Sequence, residues 1–129
     1  MKRKIAAVVV TYNRKQCLIN CLHAIEMQTE KPSNVYILDN ASTDGTEQLL
    51  ENEGYIDTVK NGIRFIYILN ERNEGGAGGF YKGMYLAFNS DFYDALWVMD
   101  DDGAPNTNCL ELMIPYIDKY AISKVFISQ

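Results

Sequence analysis

The stretch MKRKIAAVVVTYNR, residues 1–14, reads in two ways, and the choice between them decides the fold. Basic residues followed by an apolar run also open a secretory signal. Here the apolar part, Ile5–Val10, is short and runs into Thr11-Tyr12-Asn13-Arg14 instead of a small-residue cleavage site. A short, almost continuously apolar run rich in β-branched residues is the pattern of a strand covered on both faces, as in a parallel sheet.

Three further runs of this kind follow, Val35–Leu38, Phe65–Leu69 and Ala95–Met99. Helical patterns separate them. Lys15 to Gln28 carries Cys17, Leu18, Cys21, Leu22 and Ile25 on one face. A second helix follows Thr43-Asp44-Gly45-Thr46, whose Thr and Asp suit an N-cap, and runs to about Glu53 before Gly54. A third occupies Gly79 to Asn89 and presents Phe80, Met84 and Phe88. A fourth begins near Asn106, with Leu110, Met113, Ile114 and Ile117 as its stripe and Pro115 expected to kink or shorten it. Lys124–Ser128 reads as the start of a fifth strand. This alternation predicts an α/β fold: a doubly wound, mainly parallel sheet with helices on both faces and right-handed crossovers.

Size and composition fit one such domain, residues 1–129, with no internal repeat or linker. With 47% hydrophobic and 22% charged residues the chain can bury a core. Its net charge of −5 argues against non-specific nucleic-acid binding, which needs Lys and Arg to neutralise phosphates. No apolar run is long enough to span a bilayer. Cys17, Cys21 and Cys109 are odd in number and lack zinc-ligand spacing, so they read as reduced core thiols of a cytoplasmic protein. His23, the single histidine, lies within the first helix, and no motif supplies the nucleophile of a triad.

In doubly wound sheets ligands bind beyond the carboxyl ends of the strands. The four strand ends are Thr11-Tyr12-Asn13-Arg14, Asp39-Asn40-Ala41-Ser42, Asn70-Glu71-Arg72-Asn73 and Asp100-Asp101-Asp102. All are polar, and all belong on one rim. Side chains alternate along a strand, so Asp100 and Asp102 are expected on one side, with Cα atoms roughly 7 Å apart, and Asp101 on the other. Two carboxylates so placed suit a hard divalent cation, Mg²⁺ or Mn²⁺, which prefers oxygen ligands and shares its shell with substrate phosphates. One Asp would suffice to cap the following helix. A calcium loop fails at Ala104 and Pro105.

The glycine stretch NEGGAGGF, residues 73–80, is no dinucleotide fingerprint. Read from Gly76 the pattern meets Tyr81, and read from Gly75 it meets Ala77. The glycines alone fit either a close approach of backbone to ligand or a flexible turn entering a helix.

Together VVVTYNR, ILDNASTDGT, NEGGAGGF and MDDDG resemble, in order and spacing, the inverting family 2 glycosyltransferases of the GT-A fold. The look is nearest to the galactofuranosyltransferase and rhamnosyltransferase branches, and the resemblance covers almost the whole chain. It implies that Thr11, Asn13 and Arg14 line a nucleotide pocket, and that Asp39 and Asn40 occupy the place of an acidic pair that hydrogen-bonds the base. Asn at the second place leaves the carboxylate contact to Asp39. Asn73, Gly75 and Gly76 match a segment near the nucleotide and donor sugar. Asp100, Asp101 and Asp102 match the DXD motif: Asp100 and Asp101 as nucleotide contacts, Asp102 first and Asp100 second as ligands of Mn²⁺ or Mg²⁺.

The implied reaction moves a sugar from a nucleotide diphosphate, such as a UDP- or dTDP-sugar, to a hydroxyl of a glycan or lipid-linked acceptor, with inversion. The setting is bacterial surface polysaccharide or cell-wall glycan synthesis. In that family the base lies downstream of the DXD motif, so the chain reads as the N-terminal nucleotide-binding part of a longer, peripherally membrane-associated enzyme. The competing reading is a non-catalytic nucleotide-binding or receiver-like signalling module.

Overall fold

The computed structural model describes residues 3–119 and the backbone of 124–127. In chain order the elements are β1 (Ile5–Thr11), α1 (Lys15–Glu26), β2 (Asn34–Asp39), α2 (Thr46–Asn52), β3 (Thr58–Lys60), β4 (Ile63–Leu69), α3 (Gly75–Ser90), β5 (Ala95–Asp100), α4 (Cys109–Lys119) and β6 (Lys124–Ile127). The sheet order is β3-β4-β2-β1-β5-β6. Every neighbouring pair is parallel except the short β3, which pairs antiparallel with β4. Chain direction reverses its march across the sheet between β1 and β5. That is the switch point at which doubly wound folds open a crevice.

Period-two alternation divides the core. Ile5, Ala7 and Val9 of β1 join Val35, Ile37, Phe65, Trp97 and Met99 on one face, under Leu18, Leu22 and Ile25 of α1, Leu50 of α2 and Leu110 and Ile117 of α4. Ala6 and Val8 join Tyr36, Leu96 and Val98 on the other, under Ala87, Phe80 and Met84 of α3. Among the described residues three helices therefore cover one face and one covers the other. The Gln28 side chain joins two of the three: its amide donates to Asn106 O at 2.6 Å, and its carbonyl accepts from Leu110 N at 3.1 Å, at the start of α4.

Several expectations are corrected. The third helix begins at Gly75, four residues before the expected Gly79, so most of the glycine run is helical. Its reason is proximity. A Cβ on Gly79 would lie 2.8 Å from Val10 Cγ1, and one on Gly83 would lie 2.7 Å from Val8 Cγ1. Glycine lets α3 lie close against the sheet. Phe88, expected on the buried stripe, is instead exposed. Cys17 is exposed and Cys109 half-buried, leaving Cys21 as the one buried thiol of the three; burial, then the neighbouring aspartates, push it up to about 12. The last helix runs through Pro115 to Lys119. The hairpin strand β3 was not anticipated. Ser128 lies outside the described residues.

Candidate functional site

The carboxyl ends of β1, β2, β4 and β5 meet on one rim, and the central contact joins β1 to β5. Thr11 is buried at the end of β1, and its hydroxyl donates to Asp101 Oδ2 at 2.8 Å. The expected alternation of the three aspartates does not hold. The strand ends at Asp100 and the chain turns, with Gly103 N–H donating to Asp100 O at 3.2 Å. As a result one carboxylate oxygen from each of Asp100, Asp101 and Asp102 lies within 4.8 Å of the others, Asp101 buried and its neighbours exposed.

Such a cluster is costly without a cation. Burial raises the Asp101 carboxyl above the usual carboxylate range. The Thr11 hydroxyl and Arg14 oppose that shift, and Asp100 and Asp102 add to it. Arg14 reaches over the cluster, its Nη1 3.4 Å from Asp101 Oδ1 and 3.3 Å from Asp102 Oδ2. Asp101 Oδ1 is buried and accepts no hydrogen bond. Three hard oxygen donors, one of them buried and under-satisfied, fit Mg²⁺ or Mn²⁺ chemically.

Two loops are tied together beside the cluster. Asn13 adopts a left-handed backbone, φ 50°, and its N–H donates to Ser42 Oγ at 2.9 Å while its Oδ1 accepts from Thr43 N at 2.7 Å. Asn tolerates this region better than most residues. Asp39 is buried beneath, its Oδ1 accepting from Ser42 N at 2.9 Å and its Oδ2 from the Tyr67 hydroxyl at 2.7 Å. Burial, and then the bond to Asp39, push the Tyr67 phenol well above its ordinary value, so it stays a donor.

Asn40 is buried as well. Its Nδ2 donates to Gly75 O at 2.9 Å, and its Oδ1 accepts from Asn70 Nδ2 at 2.8 Å. At the surface, Asn73 Oδ1 accepts from Gly75 N at 2.8 Å, turning the chain into α3, and Gly75 takes φ 79°. Thr11, Arg14, Asp100, Asp101 and Asp102 are thus brought together directly. Asn13, Asn73, Gly75 and Gly76 stand in exposed loops and the first turn of α3, with Asn73 and the glycines toward the β4 side of the rim, whereas Asp39 and Asn40 are buried beneath it. The sequence reading missed Tyr67, and it placed Asn70 on the rim without giving it a part in the site. Tyr67 sits two residues before the end of β4, on the face that its i, i+2 neighbour Phe65 buries, and that register was the available signal.

A sequence model of glycosyl transferase family 2 matches residues 6–127. Galactofuranosyltransferase GlfT1 of Mycolicibacterium smegmatis is 32% identical over 124 residues, which are 94% of this chain and 37% of that protein. Abequosyltransferase RfbV of Salmonella typhimurium is 34% identical over 121 residues, 91% of this chain and 33% of that protein. The chain therefore spans little more than a third of the length of these relatives. Among solved structures, S. aureus TarS 1–349 in complex with UDP aligns with a TM-score of 0.69 and 25% identity over 90% of this chain and 32% of its own. The mannosyltransferase PcManGT from Pyrobaculum calidifontis, in complex with GDP-Man and Mn²⁺, aligns with a TM-score of 0.63 and 20% identity over 79% of this chain and 28% of its own.

Proposed function

Because the chain belongs to glycosyl transferase family 2, we propose that its rim binds the diphosphate of a nucleotide-sugar donor, a UDP- or dTDP-sugar. In the whole protein this would serve transfer to an acceptor hydroxyl, with inversion, during synthesis of a bacterial surface polysaccharide or cell-wall glycan. The observation that carries the reading is Asp101: a buried carboxylate at the switch point, flanked by Asp100 and Asp102, with one oxygen accepting no hydrogen bond. The complexes of TarS with UDP and with UDP-GlcNAc favour a uridine nucleotide.

In this reading Asp102 and Asp100 would hold Mn²⁺ or Mg²⁺, which would supply Lewis-acid stabilisation of charge on the leaving diphosphate. Asp101, anchored by Thr11, keeps the turn in place and lies toward the ribose with Asp100. Arg14, half-exposed beside Asp101 and Asp102, would meet the phosphates. Asn13, Asn73, Gly75 and Gly76 line the nucleotide. Asp39 and Asn40, buried and hydrogen-bonded within the protein, support the rim from below. The general base that takes the acceptor proton is assigned to a later part of a longer, cytoplasmic and peripherally membrane-associated enzyme, of which residues 1–129 are the nucleotide-binding domain.

Calorimetric titration of the chain with UDP and dTDP, with and without Mn²⁺ or Mg²⁺, tests the proposal. Cation-dependent binding that Asp102→Ala abolishes is expected. Cation-independent binding, or none, would overturn it.

A further inference from the structure

Asn40 makes more use of its side chain than any other residue under the rim. Its Oδ1 faces two donors, Asn70 Nδ2 at 2.8 Å and the backbone N–H of Glu74 at 3.4 Å, while its Nδ2 faces the carbonyl of Gly75 at 2.9 Å. The two backbone partners fix the orientation of the amide, since a flipped side chain would set oxygen against the Gly75 carbonyl and NH₂ against the Glu74 N–H. Its own backbone N–H donates to Thr11 O at 2.9 Å. One residue thus links β1, the end of β4 and the first turn of α3. Nothing separates it from that helix: a Cβ on Gly79 would stand 2.8 Å from Asn40 Nδ2.

We infer that Asn40 is a positioning residue that pins the first turn of α3, and with it the Gly75–Gly76 segment, at the nucleotide site, and that the pin requires an uncharged hydrogen-bond donor at position 40. The inference rests on the nucleotide-binding reading above but assigns Asn40 a part other than contact with the base. A carboxylate would fill the same volume. It has no proton to give, and it would bring a full negative charge against the Gly75 carbonyl in a buried place. The protonated acid, by contrast, could donate as the amide does.

The test compares wild type, Asn40→Asp and Asn40→Ala by UDP titration in the presence of Mn²⁺ between pH 8 and pH 5, each variant scored as a ratio to wild type at the same pH. Amide hydrogen exchange over residues 74–79 is followed in parallel without nucleotide. A pin predicts that Asn40→Asp binds UDP about tenfold more weakly at pH 8. It also predicts faster exchange in the first turn of α3, and recovery of both as the pH falls and the new carboxyl takes a proton. Asn40→Ala stays weak throughout. If residue 40 read the base directly, the carboxylate would accept from a base N–H, and Asn40→Asp would match or exceed wild type at pH 8. That result, or a deficit independent of pH, overturns the inference. If wild type fails to bind UDP, the functional reading falls, and the exchange data still decide the pin. Should Asn40→Asp fail to fold at pH 8, Asn70→Ala, which removes one donor to Asn40 Oδ1, is expected to speed exchange over the same amides; unchanged exchange there counts against the pin.

Discussion

Thr11 and Asp101, 90 residues apart in sequence, are joined by a 2.8 Å hydrogen bond from the threonine hydroxyl to a carboxylate that is 2% exposed. That bond holds the turn after β5 against the end of β1. It also makes Asp101 sensitive to small changes around it.

Thr11→Val keeps the shape and removes the donor. The loss is expected to lower stability by about 1–3 kcal/mol, since the buried acceptor loses its partner. Urea denaturation of wild type and variant without divalent cation measures it. An unchanged midpoint would mean the hydroxyl contributes nothing there.

The pH dependence of stability has a definite sign. Asp101 is raised in the folded state, with burial the leading cause, so the folded protein holds its proton more tightly than the unfolded chain. Stability from this group is then highest at low pH and declines as pH rises from the ordinary carboxylate value of 3.8 through the raised one. Asp101→Asn removes this titration. In chelator, the gap between variant and wild-type urea midpoints should widen across that window in favour of the variant and become flat above it.

Arg14 holds the position of a competitor. Its guanidinium stands 3.3–3.4 Å from Asp101 and Asp102 and is half-exposed, so the pairs stabilise the fold by at most about 1 kcal/mol. Arg14→Met is expected to tighten binding of Mn²⁺ alone and to weaken binding of UDP in its presence, both by a few-fold, with little change in stability. Mn²⁺ titration followed by electron paramagnetic resonance separates the two effects. Looser Mn²⁺ binding would refute the competition.

The glycines of α3 divide into two kinds. At Gly83 an added Cβ meets Val8 Cγ1 at 2.7 Å, whereas at Gly76 nothing lies within 4 Å. Gly83→Ala is therefore expected to destabilise by about 1–3 kcal/mol through overpacking. Gly76→Ala is expected to stabilise by up to about 1 kcal/mol, the difference in helix propensity. Thermal or urea unfolding of the two variants tests the contrast, and a matching sign would defeat the packing argument.

Tyr67 supplies a further check on the rim. Its hydroxyl donates to the buried Asp39 carboxyl, and Tyr67→Phe, which leaves that acceptor without a partner, should cost about 1–3 kcal/mol. Loss of the same amount in an Asp39→Ala background, which has no acceptor there, would show that the bond is not to the Asp39 side chain.

The parallel strands were legible because burial on both faces leaves an unmistakable trace: Ile5–Val10 is apolar at every position. Their polar ends, and hence the rim, followed from topology. The missing pieces have physical reasons. Thr58-Val59-Lys60 is an edge strand of three residues with no apolar face, although Asn61-Gly62 after it is a strong hairpin signal. Four glycines in five positions argue for a turn by propensity, yet they begin a helix whose Gly79 packs on Val10 and whose Gly83 packs on Val8. The alternation of Asp100 and Asp102 assumed a strand that stops one residue too early, so the three carboxylates converge. Asn40 was placed on the rim by topology and beside the base by resemblance, and no sequence pattern could reveal that the first turn of α3 lies over it.

The position of β1 between β2 and β5 has a consequence for the order of folding. Strand β2 can pair with β1, and β4 with β2, through crossovers of modest length, but β5 must return across some 90 residues to pair Ile5 with Ala95 and Val10 with Asp100. Such long-range closures are slow. A chain emerging from the ribosome therefore holds one edge of a strand that is apolar from Ile5 to Val10 open until β5 arrives, and only then does Asp101 reach Thr11. Aggregation through that edge is the characteristic failure to expect of variants that delay the closure, even where the finished fold is stable.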